Sequence, residues 1–142
     1  ERFIRESFVV GLRAENIAVL DGNKHQGKLF EDSKIYPTKS DLIFRRSKKD
    51  IIALGEVKYK PKLKEADRYQ IISHVTAAKA PVGILFSPAN EGESQRLERI
   101  GRLPTGAQFY HYRVDIQGDI KAAQAQMVKD VHAVLPALAI IA

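Results

Sequence analysis

Cysteine is absent from the 142-residue chain, which excludes a disulfide framework and any metal site built on thiolates. That absence fits a reducing compartment, so the cytoplasm is the expected location. Long apolar runs are missing as well. No stretch approaches the roughly 20 residues needed to span a bilayer, and no membrane association is expected. The apolar tail from Ala137 to Ala142 is short and follows Pro136. No signal peptide, internal repeat or low-complexity segment is legible. The chain opens on Glu1, in what reads as the body of a helix. Residues 1–142 are therefore expected to form a single domain cut from a longer protein.

What is present in excess is positive charge, and it is local. Between Lys39 and Arg68 ten basic residues face five acidic ones, leaving +5 of the chain's net +6. A basic surface of this kind favours a polyanion such as nucleic acid. Lys39, Lys60, Lys62 and Lys64 are the expected phosphate contacts, which position a nucleic acid without reading its sequence.

Hydrophobic periodicity gives a coarse order of elements. Phe3, Ile4, Phe8, Val9 or Val10, and Leu12 predict a helix from Glu1 to about Ala14. A strand is expected over residues 16–20, and a second, irregular one from Lys28 to Tyr36, ended by Pro37. Leu42 to Arg46 and Ile51 to Tyr59 read as a hairpin joined by the polar turn Ser47-Lys48-Lys49-Asp50, with Pro61 stopping the second strand. A helix over residues 65–79 buries Ile71, Ile72, Val75 and Ala78. Val82-Gly83-Ile84-Leu85-Phe86 is a continuous apolar run typical of a buried central strand. Residues 91–100 read as a short helix and 108–115 as a strand. Asp119 caps a last helix whose core stripe is Ile120, Met127, Val131, Val134 and Leu138. The expected class is α/β (α+β), a central mixed sheet flanked by helices.

Three side chains on the hairpin carry chemistry. Alternation along the second strand places Ile52, Leu54, Glu56, Lys58 and Lys60 on one face, so Glu56 and Lys58 project together. A turn centred near Lys48 and Lys49 sets Asp41 opposite Glu56. Two carboxylates with open coordination positions suit Mg²⁺, a hard ion that keeps waters and takes phosphate oxygens. Lys58 can orient or deprotonate a water, or stabilise developing charge. His74, one turn after Gln70, reads as a surface histidine. Tyr59 alternates away from Lys58 and reads as packing, as do Tyr110 and Tyr112.

Asp41…Glu56-Val57-Lys58 resembles the motif of the PD-(D/E)xK nuclease superfamily. The longer string Glu56-Val57-Lys58-Tyr59-Lys60, then Asp67-Arg68-Tyr69-Gln70, then Val82 to Pro88, resembles the nuclease domain of McrC-type proteins, the cleaving subunit of modified-cytosine restriction systems. The resemblance covers about residues 40–88. One departure is Ser40, which stands where the superfamily usually has proline.

The resemblance implies a restriction endonuclease-like fold and a Mg²⁺-dependent DNA endonuclease, with Mn²⁺ as a substitute ion. Asp41 and Glu56 would be metal ligands, Lys58 the catalytic lysine, and Gln70 a residue of the following helix that reaches the site. A glutamate of the first helix would join the metal, with Glu6 the first candidate and Glu1 the second. Implied partners are DNA, a nucleotide-hydrolysing AAA+ motor subunit of McrB type, and a second copy in a transient homodimer for double-strand cleavage. Two alternatives stay open: a non-catalytic nucleic-acid-binding or assembly module of the same fold, and a repair or junction-resolving nuclease of the same superfamily.

Overall fold

The computed structural model describes residues 2–60 and 62–137, with Lys34 and Tyr36 described by their backbone only. Glu1, Pro61, Leu138 and the rest of the apolar tail lie outside the described residues, so the expectations placed on them are not addressed. Among the described residues the elements are α1 (Arg2–Gly11), β1 (Ala18–Asp21), β2 (Gly27–Phe30), β3 (Ser33–Thr38), β4 (Leu42–Ser47) and β5 (Asp50–Val57). They continue with α2 (Glu65–Ala78), β6 (Val82–Pro88), β7 (Arg96–Arg102), β8 (Gln108–Val114) and α3 (Ile120–Val134). None of the described helices is long and apolar enough to cross a membrane.

A six-stranded mixed sheet in the order β1-β4-β5-β6-β8-β7 forms the middle layer, and β2 and β3 make a separate hairpin that packs against α2. β5, β6 and β8 run parallel, while β1–β4, β4–β5 and β7–β8 are antiparallel. This alternation has a direct consequence. The carboxyl ends of β1, β5, β6 and β8 and the amino ends of β4 and β7 all arrive at one edge of the sheet.

Each face of the sheet buries its own apolar cluster. On the first, α1 and α3 cover Phe44, Phe86 and Tyr112 with Phe8, Met127 and Val131. Phe8 meets Phe44 and Phe86 edge-on, at centroid distances of 5.1 and 5.6 Å, a favourable quadrupolar geometry. On the other, α2 seals Ile43, Leu54, Leu85 and Phe109 with Ile71 and Val75. α3 is tied down by polar anchors too. Asp119 accepts the N–H groups of Lys121 and Ala122 as expected of the cap, and Tyr112 donates to Asp130 at 2.7 Å. Tyr112 is thus a packing residue, as expected from the sequence.

Several expectations are corrected. Residues 96–102 form an edge strand, where a short helix over 91–100 was expected. Leu97 and Ile100 are three apart, a helical spacing, but a bulge between Arg99 and Gly101 produces it in a strand. The single strand expected over residues 28–36 is a hairpin, and Pro37 sits inside β3 opposite Lys28, on a two-stranded ribbon whose outer edge tolerates proline. Ile52 does not share a face with Leu54. Phe44 pairs with Ala53 and Arg45 with Ile51, so Ile52 is the extra residue of a bulge and joins the α1–α3 face. Ile120 is exposed, and Phe3 is only marginally covered.

Gly22 controls the approach of β1 to the segment before β4. A β-carbon there would lie 1.6 Å from the Ser40 carbonyl oxygen, and Gly22 N–H donates to the Asp41 carbonyl at 3.3 Å. Gly22→Ala must push the 40–41 segment away. It should cost about 1–3 kcal/mol in denaturant unfolding, whereas Gly101→Ala, with open space around it, should be far milder.

On the α2 face, buried Ser87 and His111 share a 2.6 Å hydrogen bond. Burial, reinforced by the Arg113 charge, pushes the His111 imidazole down to about 4. The unfolded imidazole titrates near 6.5, so between those values the unfolded chain binds a proton that the native chain refuses. The stability linked to His111 is complete above about pH 6.5 and is lost as pH falls towards 4, by roughly 2–3 kcal/mol. Urea unfolding at pH 7, 5.5 and 4.5 should show this slope, and His111→Gln should flatten it.

Candidate functional site

The edge where the strand ends meet carries the charged residues singled out from the sequence. β4 and β5 pair Leu42 with Gly55 and Ile43 with Leu54, so the next residues outward are Asp41 and Glu56, in the expected register. Asp41 Oδ2 accepts the Val57 N–H at 2.8 Å. The carboxylate is thereby fastened to the peptide that directly follows Glu56.

Glu56 is only 2% exposed. Its carboxyl is held above the ordinary carboxylate range, first by burial and further by the neighbouring Asp41 charge, with a hydrogen bond from His74 acting in the opposite direction. His74 Nδ1 lies 2.7 Å from Glu56 Oε1 and 3.3 Å from Ser40 Oγ. The surface reading of His74 is therefore corrected: it stands over the buried carboxylate. Its signal was available, since His74 and Gln70 are one helical turn apart on the same stripe.

Lys58 leaves the sheet on the α2 side. Its Nζ donates to Gln70 Oε1 at 2.7 Å and lies 3.5 Å from Asp67 Oδ1. The Asp67 carboxyl is held below its usual range, chiefly by the Lys64 backbone N–H and also by Lys58. Asp67, Gln70 and His74 thus form a polar stripe on α2 beside its apolar contacts Ile71 and Val75. The stripe meets Lys58 and Glu56, which are two residues apart on β5.

Of the expected metal-site residues, Glu6 is not brought to this edge. It pairs with Arg2 at 2.9 Å and lines the groove between α1 and α3 with Lys121 and Gln124. The helix buries Ile4 and Phe8, and that rotation turns Arg5, not Glu6, towards β1. Arg5 pairs with Asp21 at 3.4 Å, and Asp21 lies opposite Leu42. Lys60, Lys62 and Lys64 are exposed and line, with Lys58, Tyr59 and Asp67, a hollow of about 270 Å³. Lys39 is exposed at the end of β3. Tyr59 lies in a bend past the end of β5, where strand alternation no longer applies, and it is 74% exposed. It is a surface residue of the edge and not core packing.

Chemically, the edge offers two adjacent carboxylates, one of them buried, a lysine steered by an amide and a carboxylate, and a lysine-lined hollow. Oxygen donors of this type fit a hard divalent cation that retains waters. Among the described residues, no three His, Asp or Glu side chains are gathered closely enough to enclose a metal ion by themselves. No known protein-family model matches the chain, and no curated protein matches it.

The raised Glu56 carboxyl makes a stability prediction. A carboxyl whose native pKa exceeds its unfolded value favours folding at low pH, and that contribution is lost as pH rises through the native pKa. At neutral pH an ionised Glu56 is therefore a burden on the fold. Glu56→Gln keeps an acceptor for His74 and removes the charge. Its unfolding midpoint at pH 7 should lie above that of the natural chain, with the gap closing as pH is lowered to 4. A lower midpoint at pH 7 would contradict the electrostatic account.

Proposed function

We propose that the chain is a divalent-metal-dependent nuclease domain of restriction endonuclease-like fold, acting on DNA. The observation that carries this reading is the placement of Asp41 beside buried Glu56, with Lys58 two residues on and held by Gln70. A lone Glu-x-Lys on a strand is common on solvated surfaces. A buried glutamate beside a second carboxylate is costly to maintain, and such cost collects at functional sites.

In this reading Asp41 and Glu56 hold the cation, whose chemistry is to acidify a bound water and neutralise charge gathering on the phosphate. The Val57 N–H orients the Asp41 carboxylate, and His74 orients that of Glu56. Lys58 presents its ammonium protons towards the water or a phosphate oxygen. Gln70 and Asp67 hold Nζ at the rim of the site until substrate displaces them. Lys60, Lys62 and Lys64 carry the phosphates that flank the cut. The motif strings narrow the reading to the cleavage module of a modification-dependent restriction system of McrC type. There it would work in the cytoplasm with an AAA+ motor subunit, and as a transient homodimer for double-strand cuts.

One observation favours a second reading, a non-catalytic nucleic-acid-binding module of the same fold. The Glu56 carboxylate is engaged by His74 and Lys58 by Gln70, and among the described residues no protein-only metal cage exists. The two readings differ in metal binding. Mn²⁺ titration followed by electron paramagnetic resonance should register one bound ion, lost in Asp41→Ala. Plasmid nicking with Mg²⁺, with and without a motor subunit, should fall by about 100-fold or more in Lys58→Ala. Nicking that survives both substitutions would sink the mechanism, and absence of ion binding in the natural chain would favour the second reading.

A further inference from the structure

The lysine hollow has an apolar neighbour across the same strand. Lys58 and Tyr59 line it on one side and, on the other, a cleft of about 200 Å³. Val57 and Val114 form the cleft's floor, and Phe3, Tyr59, Pro88 and Ile116 its rim. The cleft sits at the carboxyl ends of the parallel strands β5, β6 and β8, where open sheets of this kind place their ligands. Tyr59 and Ile116 are largely exposed at its mouth, at 74% and 61%, and Phe3 is 39% exposed.

We propose that this cleft is a nucleobase slot. It takes the base of an unpaired nucleotide whose phosphates lie in the lysine hollow. The proposal deepens the nuclease reading and rests on its premise that the ligand is a nucleic acid. Three observations carry it. First, the two recesses share Lys58 and Tyr59 and differ in character: the rest of one is Lys60, Lys62, Lys64 and Asp67, and the rest of the other is apolar or aromatic except for Ser87. A nucleotide has the same division, an anionic phosphate joined to a flat ring. Second, the cleft is smaller than the roughly 300 Å³ at which pockets for drug-sized ligands begin, so it fits one ring system and not a duplex. Third, Tyr59 offers an aromatic face beside a cationic groove, the combination used to hold single strands by stacking.

The substrate class that follows is a single-stranded, frayed or distorted segment, with one base out of the stack at the cut. Fluorescence anisotropy in EDTA tests it without cleavage. The probes are a labelled 12-nucleotide oligothymidylate and a 12-unit abasic strand of the same phosphate count. The natural chain should bind the base-bearing strand about 5- to 100-fold more tightly, the range that stacking of one base gives. Tyr59→Ala and Ile116→Asn alter exposed side chains without adding charge and should fold normally. Both should erase the preference, binding of the abasic strand should keep its salt dependence, and Tyr59→Phe should restore the preference. Equal, salt-dependent affinity of the natural chain for both strands overturns the slot and leaves the nucleic-acid reading standing. No salt-dependent binding of either strand overturns that reading and the slot with it.

Discussion

A buried carboxylate must be compensated, and that of Glu56 governs this structure. Glu56 belongs to β5, between β4 and β6, and with His74 of α2 set against its carboxylate it is only 2% exposed. Burial raises its pKa and so does Asp41, while only His74 favours the ion. An isolated buried charge costs several kcal/mol or more, and evolution removes such groups unless something depends on them. The surroundings are arranged accordingly. α2 supplies His74, Ser40 shares that imidazole, and Gly22 lets the 40–41 segment lie close enough to β1 for Asp41 to reach the Val57 amide.

That constraint also explains the odd chemistry of α2. A helix covering a sheet ordinarily carries one broad apolar stripe. Here Ile71 and Val75 are its buried residues, and Asp67, Gln70 and His74 occupy the adjoining stripe at spacings of three and four. The apolar contacts fix the helix on Leu54, Leu85 and Phe109, and the polar ones are thereby aimed at Glu56 and Lys58. Position and chemistry come from the same few turns. Displacing the helix axially by one turn, about 5.4 Å, would exchange Gln70 for His74 over Lys58 and dismantle both pairs at once.

The parts of this arrangement that were legible in the sequence are those set by local rules. The β4–β5 register follows from a short polar turn and strict alternation, and it delivered Asp41 opposite Glu56. β6 was legible as an uninterrupted apolar run, and the α3 cap as an aspartate before a helical stripe. The losses occur where tertiary context overrides local pattern. β7 reads as a helix because Arg96, Glu98, Arg99 and Arg102 leave no apolar alternation, and those charges suit an exposed edge that must not pair with another chain. Ile52 changes face through a bulge, which leaves no trace in composition. Glu6 is placed away from the edge because a helix's rotation is set by which residues are buried, and Ile4 and Phe8 turn it towards α3. His74 was underrated for the converse reason: a polar residue beside an apolar stripe looks solvated until its partner, distant in sequence, is known to be a buried acid.

The two residues that follow β5 finally give the edge two chemically distinct recesses. Lys58 reaches Gln70 and Asp67 of α2, and Tyr59 lines the cleft with Phe3 and Ile116 as well as the lysine hollow. Because β5 ends at Val57, these two residues project beyond the sheet, and neither is fully covered by the layer it faces. An ion held at Asp41 and Glu56 would therefore sit at the boundary between a cationic recess and an apolar one. In the proposed reading, a phosphate placed there would have its neighbours along the chain on the lysine side and its base in the apolar cleft. In the nuclease reading, the unequal lining of the strand end would orient a nucleotide as it approaches the two carboxylates.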